Sequence, residues 1–259
     1  MAYKTIFFDF GDTLAPDNPI PLAQRLRMSL AEALPEMMRS QIPTDDEALL
    51  QMHRQCSRVA GWPPDPGWLE QYDAFYQHWS HAMLKALTVA AENHNTMAPT
   101  LANSFRDVSD KTRVPFSDTF ATLNALKGRN FRLGIVSNND GGLARRLQYM
   151  KLDTYFEVVA DSAIVRCNKP DPQIYKHALE AMKVDPKEVL HVGDLYDADV
   201  EGAGRAGIEC AWLNRKSAAV PVSAYRPKYV ISRLWELLDL LDAKGNVDHY
   251  APTVVGPKP

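Results

Sequence analysis

The residues best suited to chemistry lie in four separate segments of the chain. Asp9, Ser137 and Asp194 each come at the end of an apolar, β-prone stretch. Lys169 precedes Pro-Asp-Pro, a sequence that favours the start of a helix. In open α/β sheets, ligands bind beyond the carboxyl ends of the strands. We therefore expect these four side chains to meet at one edge of one sheet.

The chemistry that such a set can perform is phosphoryl transfer. Carboxylates that are brought together repel each other and raise each other's pKa unless a cation joins them. Oxygen ligands from few protein donors suit Mg²⁺, which keeps water molecules and shares a substrate phosphate. A lysine, a hydroxyl group and N–H groups at a helix start can hold the oxygens of a phosphate dianion. An aspartate can then attack phosphorus and form an aspartyl-phosphate.

The elements that would position these residues are alternating strands and helices. Short apolar stretches recur at 3–10, 131–136, 155–160, 189–192, 208–213 and 229–231. Helical periodicity occupies most of the segments between them, and continuous apolar stretches are typical of strands buried on both faces. The pattern predicts an α/β fold with a Rossmann-like, doubly wound parallel sheet.

Residues 16–113 have a different pattern. Apolar residues recur there at spacings of three or four, as at Leu22, Leu26 and Leu30, without strand-like alternation. Thr44 and Glu47 have the spacing of a capping box. We predict a helical domain at 16–113, inserted into a catalytic core made of residues 1–15 and 114–245. Residues 246–259 lack periodicity and are interpreted as a C-terminal tail.

The four segments, in this order and setting, resemble the haloacid dehalogenase superfamily of hydrolases. The helical insertion after the first segment resembles the subgroup with a helical cap, and the similarity covers about residues 3 to 243. The resemblance implies that Asp9 is the nucleophile and a metal ligand. It also implies that Ser137 and the N–H of Asn138 bind the phosphoryl oxygens, and that Lys169 neutralises the transition state.

The resemblance further implies a magnesium site. Asp194 would hold the ion, the backbone carbonyl of Gly11 would supply another oxygen, and Asp199 would act through water or as an anchor behind the ligands. Together these roles describe a Mg²⁺-dependent phosphatase that acts on a small phosphorylated metabolite.

One residue departs from the pattern of the family. Phosphatases of this family usually place a second aspartate, the general acid and base, two residues after the nucleophile. Gly11 occupies that position here, and the additional carboxylate belongs to Asp12. Since loss of a general acid typically costs about 10² to 10⁴ in rate, we expect good leaving groups to be preferred. Two alternatives therefore stay open: a metal-independent dehalogenase-type hydrolase, and a catalytically weak module that binds phosphorylated ligands.

Composition narrows the possible partners. The chain has 259 residues, with 29 basic and 32 acidic side chains and a net charge of -3, so a nucleic-acid partner is not expected. No apolar stretch approaches the roughly 18 residues that cross a bilayer. Three scattered cysteines form neither a disulfide framework nor a zinc pattern, which favours a reducing cytoplasm. The fingerprint-like Gly202–Gly207 follows no strand directly, so dinucleotide binding is rejected. The sequence does not indicate the oligomeric state.

Overall fold

The computed structural model describes residues 3–17, 20–64 and 67–242. Within them, one sheet contains six strands in the order β3-β2-β1-β4-β5-β6, and every neighbouring pair is parallel. The strands are β1 (Thr5–Phe8), β2 (Arg132–Ser137), β3 (Val158–Asp161), β4 (Val189–Gly193), β5 (Glu209–Leu213) and β6 (Tyr229–Ile231). The order reverses at β1, with β2 on one side and β4 on the other. The predicted doubly wound parallel fold is confirmed.

A helical segment lies between β1 and β2. It contains α1 (Leu22–Ala33), α2 (Asp46–Val59), α3 (Leu69–Ala86) and α4 (His94–Lys111), which surround an apolar core of their own. Leu26, Trp79 and Met83 are fully buried in that core. The start of α2 differs from the prediction: Asp45 is the capping residue, and its carboxylate accepts the N–H of Ala48 at 2.7 Å.

The remaining helices cover the two faces of the sheet. On one face pack α5 (Thr119–Gly128), α6 (Leu143–Tyr149) and α10 (Glu236–Asp242), and on the other α8 (Pro172–Met182) and α9 (Gly202–Arg205), while the short α7 (Ser162–Val165) follows β3. Successive residues of β1 alternate between the two faces, so that Ile6 and Phe8 lie in one core and Phe7 in the other. This burial on both faces explains why the strands are continuously apolar in sequence.

A buried ion-pair group joins the helical segment to the sheet. Asp110 near the end of α4 is completely buried and accepts hydrogen bonds from Arg146 Nε at 2.8 Å and from Arg145 Nε at 2.9 Å, both on α6. Arg146 also binds Asp140 through two hydrogen bonds, at 2.7 and 2.9 Å. The helical segment is therefore anchored to the sheet by charge as well as by chain connectivity.

Two features of the chain complete the description. Among the described residues, no helix is both long enough and apolar enough to span a bilayer. The tail predicted at 246–259 lies outside the described residues.

Candidate active site

The end of β1 places Asp9 in the middle of the sheet edge. Its backbone N–H donates to the carbonyl of Val192 at 2.8 Å, which continues the pairing of β1 with β4 by one residue. Its side chain meets Lys169, whose Nζ lies 2.6 Å from Asp9 Oδ1 and 2.6 Å from Asp199 Oδ1. The Lys169 side chain is only 2% exposed. One buried ammonium group therefore joins two carboxylates from different segments.

Asp199 is held from several directions. It lies on a wide helical turn of the π type, Tyr196–Glu201, that follows β4. In addition to Lys169, its Oδ1 contacts His191 Nε2 at 2.9 Å, and its Oδ2 accepts the N–H of Leu195 at 2.9 Å. A Cβ at Gly193 would collide with this carboxylate, so glycine is the residue that leaves room for it. Because both oxygens already have partners, Asp199 is arranged as an anchor.

Asp194 provides the third carboxylate of the cluster. Thr13 Oγ lies 3.3 Å from Asp194 Oδ1 and 3.5 Å from Asp9 Oδ2, so one hydroxyl group faces both side chains. Oxygen atoms of Asp9, Asp194 and Asp199 all lie within 4.8 Å of one another. Three carboxylates are thus gathered around a single lysine at the carboxyl edge of the sheet.

The protonation of these groups reflects burial and mutual repulsion. Burial raises the pKa of Asp194 to about 7, with further contributions from the Asp9 and Asp199 carboxylates. Burial also raises the pKa of Asp9, against the opposing effect of Lys169. For Asp199, burial is outweighed by Lys169 and His191, which hold its pKa well below its usual range. Burial would lower the pKa of Lys169, but the two carboxylates raise it above its ordinary value.

The donor set fits a small divalent cation. All three side chains offer oxygen, the ligand atom that Mg²⁺ prefers, and among the described residues Lys169 is the one buried ammonium group that faces them. The three carboxylates face the single ammonium group of Lys169, and their mutual repulsion adds to burial in raising the pKa of Asp194. A divalent ion beside Asp9 and Asp194 would offset that repulsion.

The residues predicted to bind phosphate come from two neighbouring segments. Ser137 ends β2 and is 2% exposed, on the strand next to the one that leads to Asp9. The side-chain amide of Asn138 donates to the carbonyl of Lys169 at 2.9 Å and accepts its backbone N–H at 2.7 Å. Asn138 therefore ties the lysine loop to the end of β2, a role that the sequence did not suggest.

The loop after β1 explains the position of Gly11. A Cβ at Gly11 would overlap the carboxylate of Asp17. Asp12 adopts a positive φ of 48°, and its Oδ1 accepts the N–H of Asp17 at 3.2 Å. Its other oxygen lies 3.6 Å from Lys216 Nζ, so the Asp12 side chain supports the loop and is not part of the three-carboxylate cluster.

A polar cavity of about 270 Å³ opens beside these residues, between the sheet edge and the helical segment. Asp17 and Asn138 line it from below, and Tyr72, Tyr76 and Trp62 line it from the helical segment. The cavity is thus bounded on one side by residues at the sheet edge and on the other by aromatic rings of the helical segment.

A model of one protein family matches residues 3–207, and its description is haloacid dehalogenase-like hydrolase. The chain belongs to this family. It is 26% identical to glyceraldehyde 3-phosphate phosphatase of Methanopyrus kandleri, over 92% of this chain and 97% of that protein. It is 30% identical to (S)-2-haloacid dehalogenase 4A of Burkholderia cepacia, over 75% of this chain and 82% of that protein.

The solved structures agree with the fold of this haloacid dehalogenase-like hydrolase. A 2-haloacid dehalogenase from Pseudomonas syringae superposes with a TM-score of 0.71 at 24% identity, over 94% of this chain and 100% of that one. The chain is therefore a hydrolase by family. The two relatives named above are a phosphatase and a dehalogenase, so the family alone does not give the reaction of this chain.

Within this hydrolase, the structure brings Asp9, Lys169, Asp194 and Asp199 together as the sequence suggested. It also shows residues that sequence reasoning missed, chiefly His191 and Thr13. His191 is fully buried in β4 and packs edge-on against Tyr175, with ring centroids 5.1 Å apart. A histidine inside an otherwise apolar strand was the available signal, since a buried polar side chain needs a partner.

Proposed function

We propose that this hydrolase is a Mg²⁺-dependent phosphatase that acts on a small phosphorylated metabolite through an aspartyl-phosphate. The observation that carries the proposal is the position of Asp194 beside Asp9, with a pKa raised to about 7. A nucleophilic aspartate beside a second, uncompensated carboxylate needs a further cation. A site that binds a divalent metal and a phosphate uses such a second carboxylate as a ligand of the ion.

The proposed roles follow from the contacts of each residue. Asp9 is the nucleophile: Lys169 holds its Oδ1, and its Oδ2 faces Thr13. Asp9, Asp194 and the backbone carbonyl of Gly11 would hold Mg²⁺, with Asp199 anchoring the lysine behind them. The bound ion would neutralise charge on the phosphoryl oxygens and the nucleophile. Ser137 and the N–H of Asn138 would bind phosphoryl oxygens, and Lys169 would stabilise the transition state.

The relatives support this reading and also one alternative. The phosphatase of Methanopyrus kandleri matches nearly the whole chain, which favours a phosphorylated metabolite as substrate. The Burkholderia cepacia dehalogenase is the more identical of the two, and Gly11 removes the carboxylate that phosphatases of the family usually carry. A metal-independent dehalogenase-type reaction is therefore the second candidate.

One assay separates these reactions. Hydrolysis of para-nitrophenyl phosphate and of L-2-chloropropanoate is measured with Mg²⁺, with a chelator, and in the Asp9→Asn variant. The exposed Asp197→Asn, on the same loop as Asp199, is the matched control. The proposal expects phosphate release that requires Mg²⁺ and Asp9 and persists in the control. Chloride release in the presence of chelator would overturn it, as would phosphate release that survives Asp9→Asn.

A further inference from the structure

A second cavity, of about 540 Å³, lies within the helical segment. Trp62 and Tyr76 line both this cavity and the smaller one beside Asp17 and Asn138. The hydroxyl of Tyr76, on α3, donates to Asp140 Oδ2 at 3.4 Å. The Tyr76 side chain therefore extends from the helical segment to the edge of the candidate active site. The two cavities are therefore neighbours that share two aromatic side chains.

Aromatic rings form the walls of the larger cavity. Phe75 packs on Trp62 with ring centroids 5.0 Å apart and on Tyr76 at 5.2 Å. Phe105 adds a fourth ring, 6.4 Å from Tyr76. Rings arranged in this way accept a flat, apolar group by stacking and edge-to-face contacts.

The charge in this cavity is of one sign. Arg25, Arg54 and Arg58 line it, and no aspartate or glutamate does among the described residues. Burial and the nearby Arg25 and Arg54 lower the pKa of His53 to about 4. His53 is therefore neutral at pH 7. Since Arg54 is paired with Glu47, Arg25 and Arg58 supply the uncompensated charge of the cavity.

Arg25 is the half-buried arginine of this cavity whose charge is not paired with a carboxylate. Its guanidinium group lies 4.4 Å from the centre of the Phe105 ring, and its Nη1 donates to Ser109 at 3.1 Å. Its Nε is buried without a hydrogen-bond partner, and no carboxylate of the described residues forms an ion pair with it. Burial lowers the pKa of Arg25 against the opposing effect of Tyr76 and of the Asp110 and Asp140 carboxylates, so a further anion would stabilise this half-buried guanidinium group.

We infer that this cavity binds the organic part of the substrate, and that this part carries an aromatic ring and a second anionic group that meets Arg25. The inference rests on the proposed function, since it places the phosphate at Asp9 and the remainder of the same molecule across Trp62 and Tyr76. The substrate class is then a phosphomonoester of an aromatic alcohol with a further carboxylate or phosphate.

The test compares probes that differ only in charge. Phosphatase activity is measured on para-carboxyphenyl phosphate and on para-carbamoylphenyl phosphate, and on the biphenyl homologue of each, which reaches further into the helical segment. We expect kcat/KM to favour the carboxylate over its neutral amide about tenfold or more for at least one spacer length. If kcat/KM for each carboxylate probe is equal to or lower than that for its amide, the inference is wrong.

Variants assign that preference to Arg25. Arg25→Met should reduce the carboxylate-to-amide ratio about tenfold. Arg27→Met, on the same helix but outside the cavity and already paired with Asp46, should leave the ratio unchanged. An unchanged ratio in Arg25→Met would contradict the assignment.

Direct binding separates the inference from the proposed function. The dephosphorylated biphenyl carboxylate and its amide are titrated calorimetrically against the wild-type protein. Preferential binding of the carboxylate without hydrolysis of any phosphate would contradict the proposed function and support the inference that the cavity binds an anionic aromatic group. Hydrolysis of the probes with no preference for the carboxylate in either measurement would contradict only the inference about the cavity.

Discussion

At the scale of single residues, Lys169 is the centre of the candidate site. It is nearly fully buried and is within 2.6 Å of two carboxylates that are separated by most of the chain. Removing one partner of a buried charge group typically costs about 3 to 5 kcal/mol, because the remaining charge is left uncompensated. Lys169 is therefore expected to support both the fold and the reaction.

The first prediction concerns this lysine. Lys169→Met should lower the free energy of unfolding at pH 7 by about 3 kcal/mol, measured by urea denaturation without metal. It should also lower kcat/KM for phosphate hydrolysis by at least about 10², since the transition state loses its cation. Lys176→Met, at an exposed position of α8, should change neither quantity. A stable and active Lys169→Met protein would contradict the roles given to this residue.

The second prediction concerns pH and Asp194. Its pKa is raised from 3.8 to about 7 in the folded protein, so the folded state binds this proton more tightly than the unfolded state does. The resulting penalty is absent below about pH 4, grows as pH rises toward 7, and is then constant. Asp194→Asn should therefore stabilise the metal-free protein by about 2 kcal/mol at pH 8 and not at pH 4.

Denaturation in urea with a chelator measures this difference at both pH values. The exposed Asp197→Asn is the control and should give no pH-dependent gain. Added Mg²⁺ should stabilise the wild-type protein more at pH 8 than at pH 5, because the ion competes with the proton for Asp194. An equal gain from Asp194→Asn at all pH values would show that the burial of the ionised Asp194 carboxylate is not its cause.

At the scale of elements, the loop after β1 sets the proton chemistry. The Asp17 carboxylate occupies the space that a side chain at position 11 would take, but Asp17 is exposed and can turn outward. Gly11→Asp should raise the turnover of alkyl phosphates, which need protonation of the leaving group, by about 10² and that of para-nitrophenyl phosphate much less. Adding Asp17→Ala should increase the effect, because it clears the space.

Steady-state kinetics on the two substrates measures this difference in each variant. Gly11→Asn, which is similar in size but cannot donate a proton in the same way, is the control and should not raise either rate. If neither Gly11→Asp nor the double variant accelerates the alkyl substrate, a missing proton donor at position 11 does not limit the reaction.

The elements themselves were largely predictable, because their signals are local. The observed strands β2, β4, β5 and β6 lie within about one residue of the apolar stretches in the sequence. Burial on both faces accounts for this in β2 and β4, whereas β6 is an edge strand with Val230 exposed. Departures arose where local signals compete. Asp45, and not Thr44, caps α2, and the segment between β4 and β5 begins with a π turn, Tyr196–Glu201, before α9.

The candidate site was only partly predictable, because much of it depends on contacts between distant segments. Asp9 and Asp194 follow strands, so their convergence is a consequence of a parallel sheet. The contact of His191 with Asp199 requires the π turn to fold back over β4, which no spacing in the sequence specifies. The bonds from Asn138 to Lys169 likewise join segments far apart in the chain.

At the scale of the whole molecule, Asp110 links two separate apolar cores. Its carboxylate binds Arg145 and Arg146 while α4 packs within the helical core. Asp110→Asn should lower the free energy of unfolding by about 3 kcal/mol and let the helical segment open before the sheet does. Hydrogen exchange should then accelerate in α1–α4 more than in β1, β2 and β4.

The control for this variant is Asp107→Asn on the same helix. The Asp107 side chain is 29% exposed, and its ion pairs with Lys111 and Arg145 are long, at 3.5 and 3.6 Å. Loss of its charge should therefore have little effect. If Asp110→Asn accelerated exchange equally in the helices and in the strands, the two cores would unfold as one unit and the ion pairs would not be what joins them.

The position of β1 in the sheet has a consequence for synthesis on the ribosome. β1 leaves the exit tunnel before its two partner strands, which begin only at Arg132 and Val189. The backbone groups of β1 therefore stay without their strand partners during much of translation. The helices between them carry their own apolar core and emerge in the meantime. Since nascent chains fold from the N-terminus onward, the helical segment can become compact while Asp9 still follows an unpaired strand.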